Sequence, residues 1–282
     1  MTASTLTQTD KAMAFHALHA GAGCFVIPNP WDVGSARLLE AAGFRALASS
    51  SAGLAFSLGQ PDGLVGRDVL LQYLAALCAG SSLPVSADLE NGFGDAPEAA
   101  AQTVTLAAAA GVVGGSIEDS TGLSDAPLHE IAHAAERIRA AAEAARALPF
   151  PFVVTARAEN FVLGRPDLAD TIARLQAYQE AGADVLFAPG LRTVEEIALV
   201  LREIDRPLNV LLGLGPLRAS VPQLAALGVK RISTGGSLAR VAWGAFMRAV
   251  DELQQGGCGY LAQAASHAEL CAAFAAFPAV AD

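Results

Sequence analysis

The chain has 282 residues, 53% of them hydrophobic and 16% charged, a balance that supports a large packed core and leaves little room for disorder. Its formal net charge of −10 argues against a nucleic-acid partner, because holding backbone phosphates takes a basic face. The length suits one domain spanning residues 1–282, a size that α/β barrels commonly reach as a single unit.

The N-terminal stretch "MTASTLTQTDKAM" has no basic start followed by an apolar run, so no signal peptide is expected. The longest apolar stretches are Ala/Gly-rich and interrupted, so no membrane association is expected either. Cys24, Cys78, Cys258 and Cys271 show neither CxxC nor metal-finger spacing and read as small hydrophobes in a reducing compartment. A cytoplasmic location follows from these features.

Eight short apolar runs recur along the chain, each opening into a polar or glycine-bearing segment. In order they are "CFVIPNP", "RALASSS", "LPVSADL", "GVVGGSIED", "FVVTARAE", "ADVLFAPG", "LNVLLGLG" and "VKRISTGG". Segments of helical periodicity such as "PEAAAQTVTLAAAAG" and "PLHEIAHAAERIRAAAEAAR" lie between them. Several of these end at a glycine, in "EAAGF", "AAAAGVV", "QEAGADV" and "AALGVK", the usual stop signal of a helix. Continuous hydrophobicity in the strands fits a parallel sheet covered on both faces. Eight strand–helix units predict a (β/α)8 (TIM) barrel. After the eighth strand, one helix is predicted over about 238–255 and another over roughly 260–276, separated by "QQGGCGY". The C-terminal arm, about residues 256–282, either packs on its own barrel or docks on a neighbouring subunit.

All strand C-termini of a parallel barrel share one face, where active sites are built. The polar residues at those ends include Asn29, Ser49, Ser50, Ser51, Asp88, Glu90, Glu118, Asp119, Arg157, Glu159, Asn209 and Ser233, with Asp62 in the loop after strand two. An all-oxygen set of Asp62, Asp88, Glu90 and Glu118 suits a hard cation, Mg²⁺ first and Mn²⁺ second. Arg157 offers a planar fork to a carboxylate or phosphate, its plain alternative being a salt bridge to Glu118 or Glu159. Ser50, Ser51 and Gly53 form a small-residue turn able to grip an anion, or an ordinary βα turn. Glycine-rich turns "LLGLGP" and "ISTGGS" follow strands seven and eight, where barrels often hold phosphate. His129 and His133 stand four apart on a predicted helix, with nothing near them in sequence to complete a metal site.

Taken together, "NPWDVGSARLLEAAGF", "SSSAGL…LGQPD", "ADLENGFGD", "SIEDS" and "TARAENF" resemble the isocitrate lyase/phosphoenolpyruvate mutase superfamily over roughly residues 15–250. The resemblance implies a barrel that binds Mg²⁺ and a small 2-oxo acid or its enolate and cleaves C–C or P–C bonds. It also implies a homotetramer, or a dimer that exchanges its eighth helix. Asp88 then matches the direct metal ligand, Glu90 a ligand acting through water, and Asp62 and Glu118 holders of metal-bound water. Arg157 matches a substrate-contacting arginine, and Ser51, Gly53 and Leu54 fall on the turn that binds substrate carboxylate, with Ala52 interposed. Asn209 joins the substrate-binding candidates.

Departures from that pattern narrow the chemistry. The lyase "K-[KR]-C-G-H" loop is absent, and "EDSTGLSDAPLHE" lacks the Lys and Asn of the mutase gating loop, so phosphoryl charge has little to offset it. The expected enzyme is a Mg²⁺-dependent lyase or decarboxylase of a small 2-oxo or 2-hydroxy carboxylic acid, working through an enolate. Its catalytic candidates are Arg157, Glu118 and Glu159; the enolate's proton comes from metal-bound water or from Glu159, whose plain alternative is an ion pair. Mutase- or phosphonopyruvate hydrolase-like P–C chemistry and a non-catalytic 2-oxo acid binder are the alternatives. Residues 120–126 are the candidate lid.

Overall fold

The computed structural model describes residues 6–278. Eight parallel strands alternate with helices and form a barrel. The strands are β1 (Phe25–Ile27), β2 (Leu47–Ala48), β3 (Val85–Asp88), β4 (Gly114–Glu118), β5 (Val153–Arg157), β6 (Val185–Phe187), β7 (Leu208–Leu211) and β8 (Arg231–Ser233). Helices α1 (Gln8–Ala20), α2 (Val33–Ala41), α3 (Ser51–Ser57), α4 (Arg67–Gly80), α5 (Pro97–Ala109) and α6 (Ile131–Arg146) belong to the first half. The second half carries α7 (Leu168–Glu180), α8 (Val194–Glu203), α9 (Val221–Leu227), α10 (Ser237–Gln254) and α11 (His267–Ala275).

Parallel pairing runs β1-β8-β7-β6-β5-β4-β3-β2. The seam between β1 and β2 is closed by Ala48 N donating to Pro28 O at 3.0 Å. Asn29 locks the same seam. Its Nδ2 donates to Ser49 O at 2.8 Å, and its Oδ1 accepts from the amides of Thr234 and Gly235 at 2.9 and 2.8 Å. All eight sequence-predicted runs are strands, and the glycines closing four helices (Gly43, Gly111, Gly182, Gly228) take positive φ of 84° to 105°, a conformation open to glycine at little cost.

The core lies between the strands and the Ala-rich faces of the surrounding helices. Helix α1 plugs the N-terminal end of the barrel, where Ala12 and Phe15 pack with Phe25, Ile27, Val113, Val153 and Val185. The C-terminal end is left open for chemistry.

The predicted helix over 260–276 is two elements, a 3-10 turn at Gly259–Gln263 and then α11. Ser266 restarts the chain as an N-cap, with its side chain and that of Glu269 bonded to each other's backbone amides. Within the chain α11 lies against α2, and Arg37 Nη2 donates to Pro278 O at 2.8 Å. The final residues of the arm, 279–282, lie outside the described residues.

Candidate active site

Strand register places the key side chains at one level. Asp88 pairs with Ser116, Glu118 with Arg157, and Arg157 with Phe187, so acid, guanidinium and aromatic ring stand side by side at the C-terminal mouth. Arg157 Nη1 lies 3.2 Å from Glu118 Oε2 and 3.5 Å from Asp88 Oδ1, and its Nε contacts Glu159 Oε1. The guanidinium carbon sits 5.5 Å from the Phe187 ring centroid, which helps hold the fork's plane. Nη2 makes no hydrogen bond to the described residues. The salt-bridge reading of Arg157 is therefore realised, to three acids at once.

Asp88 is held from the β2 side. Ser51 donates its amide and hydroxyl to Asp88 Oδ2, and Ser49 Oγ accepts from Asp88 N at 2.8 Å. Glu118 Oε1 accepts from Ser120 Oγ at 2.6 Å. Glu90 follows with φ +48°, in a turn continued by Gly92 at +79° and Phe93 at +59°, backbone that non-glycine residues adopt only when neighbours fix it. The fixing residue is Arg137 of α6, which sequence reading did not single out. Its Nη1 donates to Glu118 O at 3.1 Å, and its Nη2 to Gly94 O at 3.0 Å and to Asn91 O.

Asp119, buried behind the mouth, ties β4 to β5 and α7. It accepts from Glu159 N at 2.8 Å, Arg174 Nη1 at 3.0 Å and Tyr178 OH at 2.5 Å.

Asp62, Asp88, Glu90, Glu118 and Glu159 thus share Arg157 as the one cation that contacts any of them within 4.0 Å among the described residues. Burial, then Asp88, Glu118 and Asp62, push Glu90 up to about 8. Burial raises Asp62, with Asp88 adding to it, and raises Glu118 against the pull of Arg157. Burial likewise raises Glu159 against the same pull. Acidic groups only partly offset by one arginine fit a divalent cation held by oxygen ligands.

A cavity of about 300 Å³ opens beside the cluster, at the small end for ligand pockets. Ser50, Ser51, Asp62, Asp88, Arg157 and Asn209 line it, as do Gly235, Gly236 and Ser237 at the start of α10. Glu90, Glu118, Glu159, Gly53 and Leu54 do not line it. The Gly53 amide donates to Ser50 Oγ at 3.0 Å, and the Leu54 amide to Ser50 O. A Cβ at Gly53 would meet Trp31 Cβ at 2.9 Å, and Leu54 is 5% exposed, so these two serve the packing of α3.

Two further arginines reach the cavity, Arg231 from β8 and Arg240 from α10. Arg231 is buried with no carboxylate partner among the described residues. Its Nε donates to Asn209 Oδ1 at 2.9 Å and its Nη2 to Thr155 Oγ1 at 3.0 Å, and burial brings it down to about 9.

A closed parallel barrel with an acidic, arginine-bearing mouth defines a (β/α)8-barrel enzyme. The chain belongs to the phosphoenolpyruvate phosphomutase family, whose profile matches residues 15–254, within the isocitrate lyase/phosphoenolpyruvate mutase superfamily of enzymes. A protein of Burkholderia cenocepacia J2315 superposes with a TM-score of 0.94 at 56% identity, over 95% of this chain and 97% of that one. An oxaloacetate decarboxylase of Pseudomonas fluorescens is 30% identical over 235 residues, 80% of this chain and 79% of the relative. A phosphonopyruvate hydrolase, solved with oxalate and Mg²⁺, superposes with a TM-score of 0.83 at 26% identity, over 96% of each chain. Among the described residues, no helix is long and apolar enough to cross a membrane.

Proposed function

We propose that this protein is a Mg²⁺-dependent carbon–carbon lyase that decarboxylates a small 2-oxo dicarboxylic acid through an enolate. The observation that carries the reading is the under-compensated carboxylate cluster beside a small cavity walled by Arg157, Arg231 and Arg240. Asp88, with Glu90, Glu118 and Asp62 acting through water, would hold the metal. When bound, Mg²⁺ supplies Lewis-acid polarisation of the 2-oxo oxygen. Mn²⁺ suits the same oxygen set.

Arg157 orients the substrate carboxylate next to the 2-oxo group, using the Nη2 donor that no described residue claims. Glu159, 3% exposed and in contact with Arg157 Nε, supports the ion-pair alternative: it positions Arg157, and water is the proton donor. The second carboxylate falls toward Arg240 and the N-terminus of α10, whose cap Gly236 offers no side-chain bond and leaves positive dipole facing the cavity. Ser50, Ser51 and Asn209 complete the polar wall. As the C–C bond breaks, CO₂ leaves with the electron pair staying on the enolate, and water returns a proton to carbon. No general base is required for that step.

Phosphoryl chemistry is disfavoured by the loop over 121–126, which carries no cation. The loop is closed at its foot by Thr121 N donating to Pro127 O at 3.0 Å and is exposed from Gly122 to Ala126, as a lid requires. Assembly is supported by the exposed apolar face of α10, where Val241, Phe246 and Met247 are 70%, 59% and 64% exposed. A second copy covering this face gives the helix-exchanged dimer or homotetramer, readable as a solution mass that is a multiple of 28.8 kDa.

The test is CO₂ release from oxaloacetate and related 2-oxo acids by the protein with Mg²⁺. Turnover abolished in Asp88→Asn supports the lyase. Phosphate release from phosphonopyruvate instead would establish P–C chemistry, and metal-dependent binding without turnover would establish a binding protein.

A further inference from the structure

We propose that Asp95, His129 and His133 form a second cation site, selective for a borderline divalent metal of the Zn²⁺ class, that ties the foot of the 120–128 loop to the loop carrying Glu90. Sequence spacing alone offered two histidines and no third ligand. Asp95, 34 residues before His129 in the sequence, supplies it because α5 and α6 pack side by side. One ligand atom from each residue lies within 4.8 Å of the others. Asp95 Oδ1 and His129 Nδ1 are 3.5 Å apart, close to the edge of about 3.3 Å that metal–ligand bonds of about 2.0–2.1 Å give a tetrahedron.

The site is largely organised in advance. His129 lies just before α6 rather than within it, and its backbone is pinned at both ends. Its amide donates to Asp119 O at 2.9 Å, and its carbonyl accepts from Arg174 Nη1 at 2.9 Å. The His129 side chain is 6% exposed, faces Asp95, and makes no hydrogen bond among the described residues. His133 turns its ring toward the first at 63°, with centroids 5.0 Å apart. Its Nε2 lies 3.0 Å from Asp95 O, and its Nδ1, 4.0 Å from Glu136 Oε2, is too far for a hydrogen bond. Binding exchanges the Asp95 carbonyl contact for the metal.

Ligand chemistry separates this site from the mouth. Two imidazoles and a carboxylate favour Zn²⁺, Co²⁺ or Ni²⁺, whereas an all-oxygen cluster favours Mg²⁺. Asp95 is 84% exposed, so the cation enters from solvent. A cation here would join the loop after β3, which Arg137 also holds through Asn91 O and Gly94 O, to the residue from which the 120–128 loop returns.

The experiment uses untagged full-length protein saturated with Mg²⁺ and titrated with Co²⁺, whose weak visible d–d absorption becomes an intense band when the ion leaves its six-water shell for a tetrahedral site. One equivalent should produce the band, and Zn²⁺ should abolish it. Asp88→Asn should retain it. His133→Ala and Asp95→Asn, neither of them in the core, should weaken Co²⁺ binding by about tenfold or more. Zn²⁺ should also slow hydrogen exchange over residues 120–128 in the wild type and leave His133→Ala unchanged. Absence of the band, its persistence in both His133→Ala and Asp95→Asn, or its loss in Asp88→Asn alone would overturn the site. Unchanged exchange in the wild type would overturn the tie between the loops.

Discussion

Ser51 donates twice to one oxygen of Asp88, through its amide at 3.2 Å and its hydroxyl at 2.8 Å. The other oxygen, Oδ1, faces Arg157 Nη1 at 3.5 Å. The carboxylate is thereby fixed from two directions by the start of α3 and the end of β5, and a ligand meets it already oriented.

Ser51→Ala should leave the fold intact and cost about 1 kcal/mol of stability. Its larger effect falls on the metal, because losing a hydrogen bond that orients a ligand typically weakens affinity by about 10- to 100-fold. Calorimetric titration of Mg²⁺ into both proteins checks this, and equal affinities would remove Ser51 from the site.

Glu159→Gln keeps the shape behind Arg157 but removes the charge that anchors it. Decarboxylation should fall on the order of 10- to 100-fold through misplacement of the fork, with most of the loss in KM. A proton-donating Glu159 would instead lower kcat alone, so the KM-against-kcat split separates the two roles.

Glu90 titrates near 8 in the fold against an ordinary 4.5, through burial and the surrounding acids. The folded chain therefore binds more protons than the unfolded chain between those values. This contribution to stability is full below 4.5 and is lost as pH rises through about 8. In EDTA, the Tm of the wild type minus that of Glu90→Gln should decline across this range. Mg²⁺ displaces the same proton, so its affinity should rise toward pH 8 in the wild type and stay flatter in the variant. A constant Tm difference would contradict the shift.

Arg137, 1% exposed, donates to three backbone carbonyls and to no carboxylate. Arg137→Met leaves those carbonyls unpaired and should cost about 3 kcal/mol, read from the urea midpoint. Mg²⁺ affinity should fall with it, because the Glu90 turn and the end of β4 lose their common support.

The barrel was legible because strands buried on both faces read as continuous apolar runs, and because glycine at positive φ closes the helices between them. The acids at the mouth were legible because they follow such runs directly. Arg231 was not. In "VKRIST" nothing marks it as inward-facing, and its role depends on register with Asn209 across β7 and on Thr155 two strands further round. Arg137 is one of three arginines in α6, with Arg139 and Arg146, and only packing decides which one points at the loops. Leu54 was assigned to the substrate turn, yet the helical turn of α3 carries it into the core. Asp95 and His129 meet only because two helices pack, which local spacing does not encode.

The most direct measurement is calorimetric titration of oxalate, a mimic of the enolate, into the protein with Mg²⁺ and again with EDTA. One equivalent bound with Mg²⁺, none with EDTA, and none by Asp88→Asn is the predicted result. Binding that is equal with and without the metal, or absent in both, would contradict a site built to stabilise an enolate beside the Asp88 cluster.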